Sequence, residues 1–557
     1  MKRIYLATLN LKRCPITSLS MKKGKGGRWV WIPSTVNRCL SAWINPLVRE
    51  GVRWAILEED GRRVLANCST SVSPNDQCLI VGDPYWRNYS IKVKVRQIMT
   101  LTSPLSWGPG FLIATDLTTC NKARTGLIFR YQNLRHYYYY CIEDLEALVL
   151  YRRDGSQMRT LFRKDIDIDP DRYYELELHV KGDRISGLLD GEEQFTIEDG
   201  TYTHGKVGIR TNAESRFYGM TVWTDEDSPR GVEDVKRERF LELKKVRRRY
   251  PKPVLWRKIN VSRFKPKGLR FTDLDGDGRV DMLLLGSSSL SALNVDGGVL
   301  WSREEPSEVM TQLYDIDKDG SIEVVCITED SLTILDGKEG KIKSRINKPD
   351  EEIDSIYVAN LLGEDTRQVI VKGRKFGIWV YDHKLRPLWS IPEVECGEHI
   401  AFHDLNGDGR EEIYIGYKLL DGYGNTIWEI EPPSMRIRPY IANSIIMGDL
   451  DGTKPKLFIA SGYLGLLILN EEGSIERRIP LGYISTMTAG KFRRDLPGLQ
   501  VWTCGGWGAH GIRTLLDHKG NKLFEFEPDN NWGAGAPTNW TGDGCLLYTS
   551  PSPRDRG

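Results

Sequence analysis

Between residues 52 and 225 the chain is a succession of short runs in which apolar and polar positions alternate. SIKVKVRQI (90–98), TGLIFRYQ (125–132), HYYYYCIE (136–143), ALVLYRR (147–153), YYELELHVKG (173–182), RISGLLDGEEQFTIED (184–199) and KVGIRTN (206–212) carry this pattern, with Asp-Gly or Lys-Gly turns between several of them. A period of two is the mark of a strand. Several runs are apolar enough to be covered on both faces. No helix-length amphipathic segment interrupts them, so the pattern predicts a two-sheet β-sandwich over 52–225. Residues 226–252 break the rhythm. They are charge-dense, with Val235, Phe240, Leu241, Leu243 and Val246 as sparse apolar positions, and Pro251 follows. That predicts a charged helical linker, its basic run KKVRRRY reading as a solvated face. Residues 1–51 are basic and irregular, an expected non-native or ragged start.

Beyond residue 253 the chain repeats itself. FTDLDGDGRVDMLLLG, LYDIDKDGSIEVVCIT, YVANLLGEDTRQVIVKG, FHDLNGDGREEIYIGY, MGDLDGTKPKLFIASG and AGKFRRDLPGLQVWTCG align, and TNWTGDG begins a further copy. The copies start at 273, 315, 360, 404, 449, 491 and 539, a period near 44. A strand-filled unit of that length is a β-propeller blade, four short strands with their turns. The expected fold is therefore all-β: a β-sandwich followed, over 253–544, by a seven- or eight-bladed propeller. Trp301, Trp389 and Trp428 recur in the fourth strand and are expected to pack between blades. PVLWRKI (253–259) resembles that fourth strand and is expected to close the ring from the final blade. The segment CLLYTSPSPRD (545–555) resembles a translated sequencing adapter. Residues 545–557 are accordingly expected to be an artefact, with the propeller truncated at its C-terminus.

The loops that open the copies carry the candidate chemistry. Loop positions 1, 3, 5 and 9 hold Asp273, Asp275, Asp277 and Asp281 in the first copy and Asp315, Asp317, Asp319 and Glu323 in the second. In the fourth they hold Asp404, Asn406, Asp408 and Glu412. Alternate side chains of a tight turn converge, Gly at position 6 permits the bend, and clustered hard oxygens suit Ca²⁺. An EF-hand needs a bidentate Glu at position 12, where this chain has Leu284, Cys326 and Ile415 inside apolar runs. The third and sixth copies lack the pattern, and the fifth keeps only Asp449 and Asp451. About three structural calcium sites are expected.

These loops resemble the FG-GAP, integrin-type propeller repeat, and the segments GREEIYIGYKLLDGYGNTIWEI and PTNWTGDG are similar to the propellers of rhamnogalacturonan lyases. The order of runs over 52–224 resembles concanavalin A-like, laminin-G-like jelly rolls. Together these resemblances imply an extracellular or periplasmic protein that recognises polysaccharide, with non-catalytic binding as the first reading. A polysaccharide lyase acting on acidic, rhamnogalacturonan-like glycans is the alternative, and an integrin-type adhesion module with a protein partner is the third.

Charge and composition narrow the partners. A net charge of +2 over 557 residues gives no case for nucleic acid, and no run of apolar residues is long enough for a membrane span. No signal peptide is visible, since no uninterrupted apolar core precedes Lys12. Ten scattered cysteines without a C-x-x-C pair read as buried free thiols. Ligands of a propeller meet the loops entering its innermost strands, near Met310, Asp354, His399, Asn443 and Thr486. Asp354 and Asn443 are therefore candidate substrate contacts. Trp507 and Trp532 lie in Gly-rich segments and are candidates to stack on sugar rings. His399, His510 and Arg513 are the candidate catalytic or acid-sugar-binding residues.

Overall fold

The computed structural model describes residues 4–8, 21–23, 29–31, 54–67, 77–98, 122–155, 157–224, 228–249, 254–287, 289–304, 310–327, 330–430, 442–505, 512–527, 536–538 and 547–549. Apart from one long helix it is built almost wholly of antiparallel strands. No helix among the described residues is long and apolar enough to cross a membrane.

Two large sheets occupy 54–224. One has the order Glu192–Glu198, Arg184–Leu189, Tyr174–Lys181, Tyr89–Gln97, Ser215–Thr224, Arg62–Asn67, Trp54–Glu59. From the segment expected to be irregular, Ile4–Thr8 also pairs with Ser215–Thr224. The other sheet runs Gln157–Asp165, Ala147–Asp154, His136–Glu143, Arg124–Asn133, Lys206–Thr211, Gln77–Val81. Their alternation works as a period of two requires: Ile91, Val93 and Val95 of the first sheet meet Leu127, Phe129, Tyr138 and Tyr140 of the second in one core. The opposite face of the second sheet is also buried, where Tyr131, Tyr137, Tyr139 and Tyr151 cluster with Ile512. Tyr137 to Tyr140 are consequently all out of solvent, which is why HYYYYCIE lacks a polar face.

The helix Ser228–Arg249 follows, largely exposed, with Lys236 paired to Asp83. After it come six four-stranded antiparallel sheets in chain order, each pairing first strand to second, second to third and third to fourth. The second strands are buried almost end to end, and the second to fifth sheets each have a neighbouring sheet on either face. Val324 packs towards the first sheet, with Leu283 and Leu285, while its neighbour Val325 packs towards the third, with Val369 and Val371. The same division recurs between the third and fourth, fourth and fifth, and fifth and sixth sheets.

Polar groups clasp neighbouring sheets at both ends. On the first strands Arg270 donates to the Thr311 carbonyl at 3.3 Å, Gln312 to Ile356 at 2.9 Å and Asn443 to Ile484 at 2.8 Å. On the outer strands Trp301 Nε1 donates to the Gly337 carbonyl at 2.7 Å, Trp389 to Gly422 at 2.9 Å and Trp428 to Glu471 at 2.9 Å. These tryptophans thus combine apolar packing with a satisfied indole N–H. The first sheet is covered by the second on one face. On the other, Leu284 and Leu293 meet Phe264, while Phe271 and Val280 stand exposed. Residues 254–259, expected as a closing strand, have no ladder partner among the described residues, and Val254, Leu255 and Trp256 are exposed.

Contacts also join the two halves of the chain. Around the turn of the tyrosine hairpin, Asn133 Nδ2 and His136 Nδ1 each lie 3.1 Å from Glu525 Oε2. Tyr131 donates to Glu527 at 2.5 Å, and Arg135 to the Pro480 carbonyl at 3.2 Å.

Candidate metal centre

The first acidic loop links Pro266–Thr272 to Asp281–Gly286. Its winding is set by Asp273, whose two oxygens accept the Gly276 and Gly278 N–H groups, each at 2.8 Å. Gly278 sits at φ +81°, as Gly320 and Gly409 do in the second and fourth loops at +87° and +84°, a region where a side chain would be strained. Asp281, 1% exposed, heads the second strand. Its Oδ2 accepts from the N–H of Leu274 at 2.9 Å and of Asp275 at 3.3 Å. Its Oδ1 is buried and has no hydrogen-bond partner. Carboxylate oxygens of Asp273, Asp275 and Asp281 lie within 4.8 Å of one another. Asp277 stands outside this trio, exposed, and caps its own turn through Arg279 N–H at 2.7 Å.

Burial raises the pKa of Asp281; the Leu274 N–H opposes this and the charge of Asp275 adds to it. A buried oxygen without a donor, facing two more carboxylates, is costly unless a cation completes it. The donor set is hard oxygen throughout and fits a hard divalent ion.

The second loop repeats the geometry with one addition. Asp315, Asp317 and Glu323 again converge within 4.8 Å, and Glu323, fully buried, accepts the Ile316 N–H at 2.9 Å. Here, however, the Lys343 ammonium lies 2.7 Å from Asp317 Oδ2, 2.8 Å from Glu323 Oε1 and 3.7 Å from Asp319 Oδ2. In the fourth loop Asp404 accepts Gly407 and Gly409 N–H at 2.7 and 2.9 Å, and Glu412 accepts Leu405 N–H at 2.7 Å. The Asn406 amide donates to Glu412 Oε1 at 3.0 Å, while Asp408 caps Arg410 N–H at 2.8 Å.

Two residues that the acidic pattern overlooks perform the same backbone task. Gln368 and Gln500 head the second strands of the third and sixth sheets. Gln368 Oε1 accepts Leu361 N–H at 2.7 Å, and Gln500 Oε1 accepts Phe492 and Arg493 N–H at 2.9 and 2.8 Å. In five of the six described copies the buried side chain at this place is therefore a loop cap, acidic in the first, second and fourth and an amide in the third and sixth; the fifth has Leu457. Aligning the copies on the head of the second strand, rather than on aspartates, would have found both glutamines. In the sixth loop Lys491 bonds the Leu496 and Gly498 carbonyls at 2.5 and 2.9 Å, an internal cation in place of the first acid.

On the first strands of the sheets the candidate residues Asp354 and Asn443 are engaged by other protein groups. Asp354 Oδ1 lies 2.9 Å from the ammonium of the fully buried Lys372, which also donates to the Gly373 and Gly397 carbonyls at 2.9 and 3.3 Å. Three acceptors use all the donors a lysine has. Asn443 donates to the Ile484 carbonyl and accepts from the Tyr483 hydroxyl at 2.9 Å. Burial pushes Tyr483 up to about 12. His399 keeps solvent contact, yet crowding by protein and then the Lys372 charge hold its imidazole below the usual range. Arg513 is buried beside the Cys504 sulfur. Trp507, His510 and Trp532 lie outside the described residues.

No family model matches this chain, and no curated protein matches it. Among solved structures it is similar to the exotype rhamnogalacturonan lyase YesX, at 15% identity and a TM-score of 0.39, over 75% of this chain and 80% of that one. It is also similar to a Bacillus licheniformis rhamnogalacturonan lyase, PL11, at 14% identity and 0.38, over 77% and 84%. The carbohydrate-binding module CBM66 from Bacillus subtilis matches at 12% identity and 0.25, over 33% of this chain and 96% of the module.

Proposed function

We propose that this chain is a glycan-recognising, non-catalytic protein whose binding loops are carried on a calcium-stabilised β-propeller. In this reading the six four-stranded sheets are blades within 253–544, the sheets of 52–225 form a lectin-like sandwich, and 226–252 is the linker. The observation that carries it is the buried, unpartnered Asp281 Oδ1 facing Asp273 and Asp275. Those three residues would hold Ca²⁺, which supplies the positive charge the cluster lacks and ties the first strand of the sheet to the second. Its role is structural, because the loop joins the first strand of the sheet to the second.

The glycan part is supported by the two sequence resemblances and by the Gly-rich segments around Trp507 and Trp532, whose flat apolar faces suit sugar rings. An extracellular or periplasmic location belongs to the same reading. Affinity electrophoresis and glycan arrays on pectic and algal polysaccharides test it. Retention in calcium that weakens in chelator is expected; no retention on any glycan overturns it.

The lyase reading has one observation in its favour. His399 is a solvent-contacting imidazole beside the Asp354–Lys372 pair, the group that would act as base in a lyase. Incubation with rhamnogalacturonan while following the ultraviolet absorbance of unsaturated product separates the two. A calcium-dependent rise favours the lyase, and retention without a rise favours binding alone.

A further inference from the structure

The six fourth strands share a fold detail that sets the second loop apart. Each carries a one-residue bulge against the third strand near its start, and the third sheet has a second register break further along. In the first sheet Trp301 and Val299 are paired and Leu300 is the bulged residue; in the fourth, Trp428 and Thr426 are paired and Ile427 is bulged. In the second sheet Ser344 and Ile342 are paired, and the bulged residue is Lys343. A bulge re-aims the side chain it carries. In the second sheet that side chain ends between Asp317 and Glu323.

We infer that Lys343 is a built-in counter-cation, which lets the second acidic loop stand without a metal and makes it a much weaker calcium site than the first. The inference rests on the calcium reading of the loops. Asp317 and Glu323, the two acceptors nearest the ammonium, belong to the trio a divalent ion would need, so ion and ammonium compete for the same oxygens. Asp315 Oδ1 and Asp317 Oδ1 remain without partners, so the loop keeps residual affinity rather than none. A unit positive charge ~5 Å from a divalent ion weakens its binding about tenfold even at the dielectric of water. Among the described residues the first loop has no such competitor: Leu300 stands where Lys343 would be, and Asp281 Oδ1 is unmatched. Identical-looking acidic loops in one chain thus divide into a metal-dependent and a self-neutralised class.

The test is calcium binding by equilibrium dialysis and calorimetry on the full chain, wild type against Lys343→Leu, which installs the residue of the first sheet. Lys343→Leu is expected to tighten one site by at least about tenfold. Adding Asp317→Asn to that variant is expected to remove the gained site. Lys343→Gln, which keeps a polar side chain without the charge, gives the same gain if leucine disturbs folding. Unchanged binding in both Lys343 variants, or loss of a tight site from the wild type on Asp317→Asn, overturns the inference. Asp275→Asn reads the first loop separately. If it removes no calcium from the wild type, the calcium reading fails, whatever Lys343 does.

Discussion

Two buried carboxylates, one in each half of the molecule, show opposite ways of keeping a negative charge out of water. Glu143, 1% exposed in the six-stranded sheet, takes Lys122 at 2.5 Å, Arg124 at 2.8 Å, Arg163 at 2.7 Å and the Tyr151 hydroxyl. Burial alone would raise its pKa, but the bonds from Lys122 and Tyr151 and the charge of Arg124 outweigh it and bring it to about 2. Asp281, equally buried, has only backbone N–H partners and other acids around it, and its pKa is raised. The first site carries its own cations. The second leaves an opening for one from solution, and Glu323 with Lys343 stands between them. A buried acid is a candidate metal ligand when the chain has not neutralised it, whatever motif surrounds it.

The comparison breaks most visibly at Glu143. Glu143→Ala removes the buried carboxylate that Lys122, Arg124 and Arg163 share, and is expected to cost about 3–5 kcal/mol in urea unfolding, with or without calcium. The same carboxylate sets an acid limit. Its folded pKa is depressed, so its contribution is complete above the unfolded value near 4.3 and is lost as pH falls towards about 2. Stability measured down that window should fall in the wild type and fall less in Glu143→Gln. If the two run parallel, Glu143 is not the buried, neutralised acid described here.

Asp281→Asn sharpens the other side. With calcium at ~100 times its dissociation constant the wild type gains about 2.7 kcal/mol by linkage. The variant is expected to lose most of that gain while matching the wild type in chelator. A large loss in chelator as well would mean that Asp281 serves only as the cap of the Leu274 N–H. The smallest effect belongs to the clasps between sheets. Trp428→Phe keeps the ring and removes the bond to the Glu471 carbonyl, an expected cost of about 0.5–1.5 kcal/mol that calcium does not alter.

Much of this was legible in the chain. A repeat near 44 residues implies repeated four-stranded units, and spacing pointed Asp273, Asp275, Asp277 and Asp281 at one place, where all but Asp277 come together. What stayed hidden depends on tertiary partners. Lys343 lies 20 residues from Glu323 and is brought to it by a strand bulge that leaves no trace in an apolar-polar pattern. Lys122, Arg124, Tyr151 and Arg163 reach Glu143 from three strands and the lead-in to one of them. Asp354 and Asn443 sit on the first strands of the third and fifth sheets, and nothing in their neighbouring sequence foretold that Lys372 and Tyr483 would occupy them.

The most direct measurement is the melting temperature of the full chain in excess calcium and in excess chelator, for the wild type and Asp281→Asn side by side. A higher melting temperature in calcium for the wild type, absent in the variant, is the expected result. Equal melting of the wild type in both conditions would contradict the claim that a divalent cation completes the first acidic loop.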